Sequence, residues 1–324
     1  MLAAQTAAYF VANGANDGSD NASATGVDSV AAGPNANASG DSSSAFGDDA
    51  QATGANSTAL GQDTVASGDN STATGYAASA TTTGAAAFGS HATASGSQSA
   101  AFGSNSVASG TNSTAAGYGA QATGSSNSTA FGENAIASGS GTTAIGVDSL
   151  ASGYVSSVAV GDHAQATGEY ALALGTYSAA SGFASTAVGQ NSIASGLYST
   201  ALGALATANG DYSIAEGRFA TAGGASSIAV GSGAQSASDN GVAIGNGANV
   251  AATGTSGYNG GYATVATQGI AIGSGASVTG VGGAAVGVNA SASGLYSSAF
   301  GGNANASGDY STAIGNNAVA SSVS

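Results

Sequence analysis

The residues best suited to acid–base chemistry in this 324-residue chain are its two histidines, His91 and His163. Each follows a glycine and one small polar residue, as turn residues commonly do. If each 14-residue stretch of chain forms one coil of a stack, about five coils separate them, and at about 4.8 Å per coil they lie more than about 20 Å apart. They cannot share a proton or a metal ion. Because the nucleophile motif Gly-x-Ser-x-Gly is also absent, we expect no enzyme.

Acidic residues recur at turn positions and raise the question of calcium. Calcium takes six to eight oxygen ligands, which stacked carboxylates and turn carbonyls can supply. However, the chain lacks the nonapeptide calcium-roll pattern, and Asp in turns usually serves turn geometry. We therefore predict no cofactor and keep calcium as an open alternative; the turn acids concerned are Asp17, Asp20, Asp28, Asp41, Asp48, Asp49, Asp63 and Asp69.

Composition excludes several classes of partner. Arg218 is the only Lys or Arg side chain, there are 16 Asp and Glu, and the formal net charge is −15. One cation cannot neutralise a row of phosphates, so we expect no nucleic-acid partner. The absence of cysteine excludes disulfides and zinc–thiolate sites. Because the chain has no 18-residue apolar run, we expect no direct membrane insertion by this segment.

Glycine recurs at every seventh position, as at Gly189, Gly196 and Gly203. This repeat determines the secondary structure on which the histidines and the turn acids lie. The residue before the glycine alternates between large apolar and hydroxylated, so the structural unit is a pair of heptads. A heptad coiled coil is excluded because 55 glycines would each cost a helix about 1 kcal/mol. Collagen would need glycine at every third position. The pattern predicts an all-β parallel solenoid with two short strands and two tight turns per coil.

Strand alternation assigns the two faces of each strand. In Ser199-Thr200-Ala201-Leu202, the second and fourth residues back from Gly203 are small and must point to one side. An interior lined by Ala, Ser and Gly predicts a thin roll with a small-residue core, built from strands of about four to five residues. Twenty-one such coils would form a rod on the order of 100 Å long.

The outward faces of the two sheets differ in character. One bears Ser and Thr with Gln51, Gln121 and Gln165, and we expect it to face water. The other bears a column of large apolar residues, and the residue two positions before each of them is often large and apolar as well. This apolar surface is too extensive for a soluble monomer to expose. We therefore expect a symmetric homo-oligomer that covers it. We call its outward column the apolar ladder: Phe46, Leu60, Phe88, Phe102, Phe131, Ile145, Val160, Leu174, Val188, Leu202, Val230, Ile244, Ile272, Val286, Phe300 and Ile314.

Three segments carry a family resemblance: Asn-Ser-Thr-Ala-Phe-Gly at 127–132, Ser-Val-Ala-Ser-Gly at 106–110 and Ser-Ile-Ala-Val-Gly at 227–231. These segments resemble the YadA-type head repeats of trimeric autotransporter adhesins, over about residues 20–322. The resemblance implies a left-handed parallel β-roll, a homotrimer, and adhesion to host matrix, cells or surfaces from an extracellular position on the cell surface. It also implies a stalk and an outer-membrane anchor, neither of which is visible in this sequence, so we expect a head fragment.

Other functions remain open at this stage. The same roll can form a self-assembling extracellular filament or a phage-fibre subunit, which a chain starting at Met1 without a signal sequence would also suit. An ice-binding threonine array is the less suitable candidate, because the residue two positions before Ser or Thr on the polar sheet varies among Val, Gln, Ile, Leu and Thr.

One segment breaks the repeat. Between Gly245 and Gly273 the small-residue pattern fails, and an irregular stretch in a solenoid is typically expelled as a loop. We predict a recognition loop with Tyr258, Asn259 and Tyr262 as contacts, since aromatic residues are enriched at interfaces; a distorted coil is the alternative. The expected organisation is a degenerate N-terminal coil or cap at 1–19, head repeats at 20–245, an irregular insert at 246–269 and head repeats at 270–324.

Overall fold

A computed structural model of the chain describes residues 18–251 and 268–321. The chain forms two compact units, Met1–Ser149 and Leu150–Ser324. We refer to them as the first and second units. In both, every strand pairs in parallel with the strand one coil away, as the alternating glycine pattern predicts.

The first unit alternates two-residue and three-residue strands. The two-residue strands form one sheet: β1 (Ser23–Ala24), β3 (Asn37–Ala38), β5 (Gln51–Ala52), β7 (Val65–Ala66), β9 (Ser79–Ala80), β11 (Thr93–Ala94), β13 (Val107–Ala108), β15 (Gln121–Ala122) and β17 (Ile136–Ala137). The three-residue strands form the other: β2 (Val30–Ala32), β4 (Ser44–Phe46), β6 (Thr58–Leu60), β8 (Thr72–Thr74), β10 (Ala86–Phe88), β12 (Ala100–Phe102), β14 (Thr114–Ala116), β16 (Thr129–Phe131) and β18 (Thr143–Ile145).

The second unit continues the same alternation. Its two-residue strands are β19 (Leu150–Ala151), β21 (Gln165–Ala166), β23 (Ala179–Ala180), β25 (Ile193–Ala194), β27 (Thr207–Ala208), β29 (Thr221–Ala222), β31 (Gln235–Ser236), β33 (Asn249–Val250), β35 (Ser277–Val278), β37 (Ser291–Ala292), β39 (Asn305–Ala306) and β41 (Val319–Ala320). Its three-residue strands are β20 (Val158–Val160), β22 (Leu172–Leu174), β24 (Thr186–Val188), β26 (Thr200–Leu202), β28 (Ile214–Glu216), β30 (Ile228–Val230), β32 (Val242–Ile244), β34 (Ile270–Ile272), β36 (Ala284–Val286), β38 (Ser298–Phe300) and β40 (Thr312–Ile314).

The strands are shorter than the predicted four to five residues because the turns take up the difference. Ser199, expected to begin a strand, instead closes a turn: its amide donates to the Gly196 carbonyl at 3.3 Å, and β26 begins at Thr200. Tyr198, which lies within this turn, has a φ of 55°, in the left-handed region and not in the extended conformation of a strand. The parallel β-roll with two heptads per coil is confirmed, with more of each coil in turns than the sequence indicates.

Where the sequence contains one extra residue, the turn absorbs it. Thr114 pairs with Thr129 and Leu150 with Gln165, in each case one residue further along the chain than the usual step between coils. In the first case the additional residue lies in the turn after Gly124, and the following strands resume their register with Ala115 opposite Ala130. A slip inside a strand would have turned its core residues outward.

The interior of each unit consists mainly of alanine and serine. Ala201 and Ser199 are buried, as alternation predicts, and the same two positions are buried in most other coils. Glycine allows the coils to stack this closely: a Cβ on Gly196 would overlap the carbonyl oxygen of Gly210 in the next coil. The predicted thin core of small residues is confirmed.

Two valines interrupt this core, and glycines compensate for them. Val250 and Val278 are register partners and are among the largest fully buried side chains of the described residues. A Cβ on Gly269 would lie 2.5 Å from a Val250 methyl carbon, and one on Gly283 would lie 2.9 Å from a Val278 methyl carbon. Each larger side chain therefore occupies the volume that a missing side chain leaves free.

Candidate interface and recognition surfaces

The apolar ladder lies on the outer face of the three-residue strands in both units. Each residue is the last of its strand, so strand register places it beside its equivalent in the next coil, as Val188 lies beside Leu202. Phe88 and Phe102 stack with ring centroids 5.3 Å apart and planes within 8°. These side chains are partly or largely exposed in the single chain: Leu202 is 43% and Phe131 55% exposed. The sequence therefore located the ladder, and the structure shows it as an apolar column on each unit, interrupted by Thr74 in the first and by Glu216 in the second.

In the second unit a parallel apolar column broadens this face. The first outward residue of each three-residue strand there is often large and apolar, and it points to the same side as the ladder. Ile214 and Ile270 are 40% and 41% exposed. In the first unit the same position carries mostly Thr, Ala or Ser, as at Thr58 and Ala86. The apolar face is therefore broadest in the second unit; its additional members are Val158, Leu172, Ile214, Ile228, Val242 and Ile270.

The opposite sheet presents polar side chains. Gln51, Gln121 and Gln165 are exposed, and the Ser and Thr residues that precede its glycines are mostly exposed as well. Ser195 donates a hydrogen bond to the amide oxygen of Asn209 in the next coil, at 2.8 Å. This face is mostly polar and can remain in water, although Ile193 on it is 42% exposed.

Turn aspartates use their carboxylates to satisfy the backbone. One oxygen of Asp211 accepts a hydrogen bond at 2.9 Å from the amide of Leu197, the residue 14 positions earlier. Asp41, Asp69, Asp239 and Asp309 make the same contact with their preceding coils. Within residues 18–251 and 268–321, no group of three or more His, Asp or Glu is placed to hold a metal ion. These five aspartates therefore have a structural role that sequence reasoning identified only in general terms, and Asp17 lies outside the described residues.

Both histidines lie in turns of different units with local partners. The Nδ1 atom of His91 is 2.9 Å from the Ser90 hydroxyl, and its ring meets Tyr76 edge-on. His163 Nδ1 is 2.6 Å from an Asp162 carboxylate oxygen, and its ring stacks on Tyr177. Each histidine ring therefore contacts an aromatic ring of a neighbouring coil.

A column of aromatic residues lies along one turn edge of the second unit. Tyr170, Phe183, Tyr198 and Tyr212 contact one another in sequence, with centroid separations of 5.6, 5.4 and 5.3 Å. Tyr198 is half-exposed and Tyr212 is 60% exposed. We call these four residues the turn aromatics. The sequence shows tyrosines in turns, but only the stacking of coils shows which of them touch.

The predicted recognition residues Tyr258, Asn259 and Tyr262 lie outside the described residues. The coils on either side of them pair directly: Val242 pairs with Ile270 and Asn249 with Ser277, each twice the usual step along the chain. The Val242 amide donates to the Gly269 carbonyl at 2.8 Å, which continues the backbone hydrogen bonding between successive coils.

Comparison with known proteins identifies the repeat. The YadA head domain repeat (2 copies) matches residues 24–50, 38–64, 52–78, 66–92, 80–106, 108–135, 125–149, 137–154, 155–178, 180–206, 194–220, 222–248 and 292–318. Among solved structures, the collagen-binding domain of the Yersinia adhesin YadA is 26% identical, with a TM-score of 0.32, over 48% of this chain and 70% of that domain. No curated protein sequence matches the chain significantly. The part of the chain that the structure describes forms no helix long and apolar enough to cross a membrane.

Proposed function

The chain belongs to the family of the YadA head domain repeat, and from this premise we propose that it is the non-enzymatic, adhesive head of a trimeric surface protein. The observation that carries the proposal is the match of this repeat to more than half of the chain. The family is one of adhesins exposed at the cell surface, so an extracellular position follows from membership. The proposal adds what this particular chain does: it assembles as three copies and attaches to host matrix, cells or other surfaces.

Trimeric assembly is supported by the apolar ladder. Two adjacent apolar columns along the second unit exceed the few hundred Å² of contiguous apolar surface that soluble monomers usually expose. Because every coil presents similar residues at the same position, identical chains can cover the surface by packing side by side around an axis. The number three comes from the family.

Adhesion is assigned to the surfaces that such packing leaves free. Among these surfaces the turn edge is proposed as the contact, because the turn aromatics give the second unit a row of partly exposed rings. Aromatic side chains supply large contact area at protein interfaces. The Tyr258–Asn259–Tyr262 loop is proposed as a second contact, because the repeat breaks there. Calcium and other cofactors have no part in the proposal.

An adhesion assay with the purified full chain tests this function. The protein would be immobilised and exposed to collagen, the ligand named for the Yersinia domain, to other matrix proteins, and to cultured cells; in a further arm, beads coated with it would be offered to uncoated plastic. We expect saturable binding in at least one arm, weakened by Tyr198→Ala combined with Tyr212→Ala and retained by the matched polar-face control Gln165→Ala. Binding no greater than that of uncoated support in every arm would contradict adhesion. Long uniform fibres under the electron microscope would instead favour the filament alternative.

A further inference from the structure

One charged residue, Glu216, occupies the same outward column as the apolar ladder. It is the last residue of β28, and its register partners in the neighbouring coils are Leu202 and Val230. Its side chain is exposed in the single chain, as are those of Leu202 and Ile214 beside it. The ladder that the proposed assembly covers therefore carries a carboxylate between two apolar residues.

The only cationic Lys or Arg side chain in the sequence is two residues away. Arg218 begins the turn that follows β28, and its guanidinium carbon is 4.2 Å from the centroid of the Phe219 ring. No ion pair joins Glu216 and Arg218 within the described part of a single chain. The residues at the equivalent turn position in the adjacent coils, Ala204 and Ser232, are small and leave the guanidinium open to approach.

A carboxylate without a partner is costly in an apolar interface. Identical chains around an axis would place their Glu216 carboxylates at the same height, where like charges repel. Each copy also carries Arg218 at about that height, since only Gly217 separates the two residues. We propose that Glu216 of one chain pairs with Arg218 of the adjacent copy, forming a closed ring of interchain ion pairs. This inference rests on the proposed trimer.

The ring would determine the axial alignment of the chains. An apolar ladder that repeats in every coil allows two chains to slip by one coil, about 4.8 Å, with apolar residues still meeting apolar residues. In such a slipped arrangement Glu216 would meet Leu202 or Val230, and Arg218 would have no carboxylate partner. A buried polar pair that is satisfied in only one alignment is a known means of specifying register.

Charge complementation between chains tests the pair. Glu216→Arg and Arg218→Glu would be expressed separately and together, and the mass of the assembly measured by sedimentation. We expect each variant alone to need at least about tenfold more protein than the wild type for half-assembly. In a mixed trimer of the two variants, two of the three contacts join opposite charges and one joins like charges, so we expect co-expression to recover part of the assembly. The same-chain double variant reverses all three pairs and should recover it fully. Glu169→Arg, in a turn on the other edge of the coil, is the matched control and should assemble normally.

Two results would overturn the inference while leaving the proposed trimer intact: normal assembly of both single variants, or no gain in assembly from co-expression over either variant alone. A variant that merely misfolds cannot be rescued by an oppositely charged chain, so recovery identifies the interchain contact. If the wild type itself sediments as a single chain, the proposed assembly and the ion-pair ring both fail.

Discussion

At the scale of single residues, the serines of the core divide into two groups. Ser192 and Ser178 donate hydrogen bonds to the carbonyls of Gly189 and Gly175, three residues earlier, at 2.9 and 2.8 Å. Ser199 and Ser185, on the three-residue strand side of their coils, are buried with no hydrogen-bond partner among the described residues. A buried hydroxyl without a partner loses its hydration and gains nothing in return.

This difference predicts opposite effects for two Ser→Ala substitutions of equal size. Ser199→Ala should leave stability unchanged or raise it, because the change removes an unsatisfied polar atom. Ser192→Ala should lower stability by about 0.5–1.5 kcal/mol, the net contribution of one hydrogen bond. Denaturant unfolding of the assembled protein would measure both. A larger loss for Ser199→Ala than for Ser192→Ala would contradict the assignment.

The valine–glycine pairs lead to a second residue-scale prediction. Gly283→Ala should destabilise the second unit by about 1–3 kcal/mol, because the new methyl group would overlap Val278. Val278→Ala in the same chain should restore most of the loss, since it recreates the small-residue core of the other coils. Thermal unfolding of the single and double variants would test this. Equal destabilisation by Gly283→Ala with and without Val278→Ala would show that the two side chains do not share the volume.

At the scale of elements, the coil tolerates additional sequence outside its strands. An extra residue after Gly124 leaves the strands in register, and β32 pairs directly with β34 although two coil lengths of chain separate them. The next coil thus stacks on the previous one whether or not the intervening chain follows the repeat.

Deleting residues 253–266 should therefore leave the roll intact. The deletion removes one coil length of sequence and gives the chain between β33 and β34 the length found between other coils. We expect unchanged β-sheet circular dichroism and an unfolding temperature within a few degrees of the wild type. If the predicted loop carries recognition, adhesion is weakened while the fold is retained. Unfolding of the deletion variant would show that this segment is needed for stacking.

How far the sequence predicts these elements depends on whether the information is local. The period and its alternation predict Ala201 inward and Leu202 outward, because both follow from the two-residue periodicity of a strand. The pairing of Val278 with Gly283 is not visible, since it depends on which residues meet across the interior. The direct pairing of Val242 with Ile270 is also not visible in the sequence, because the chain between them has the length of two whole coils and could equally form an extra coil. Glu216 does not stand out in the sequence either, because the periodic pattern is carried by the apolar residues on both sides of it.

At the scale of the whole molecule, the ladder predicts how assembly responds to charge. Leu202→Asp and Leu174→Asp should each dissociate the assembly or unfold it locally, because a carboxylate buried at an interface without a partner costs several kcal/mol. Ser181→Asp, which places the same charge on the polar sheet, should leave assembly unchanged. Sedimentation of the three variants at equal concentration makes the comparison. Dissociation by Ser181→Asp as well would indicate a general charge effect and not a buried face.

The measurement that tests the account most directly is the mass of the purified wild-type assembly in solution. We expect three times the 29.5 kDa of one chain, with the three chains held together by the covered apolar ladder. A stable single chain of 29.5 kDa that remains soluble with the ladder exposed would contradict it.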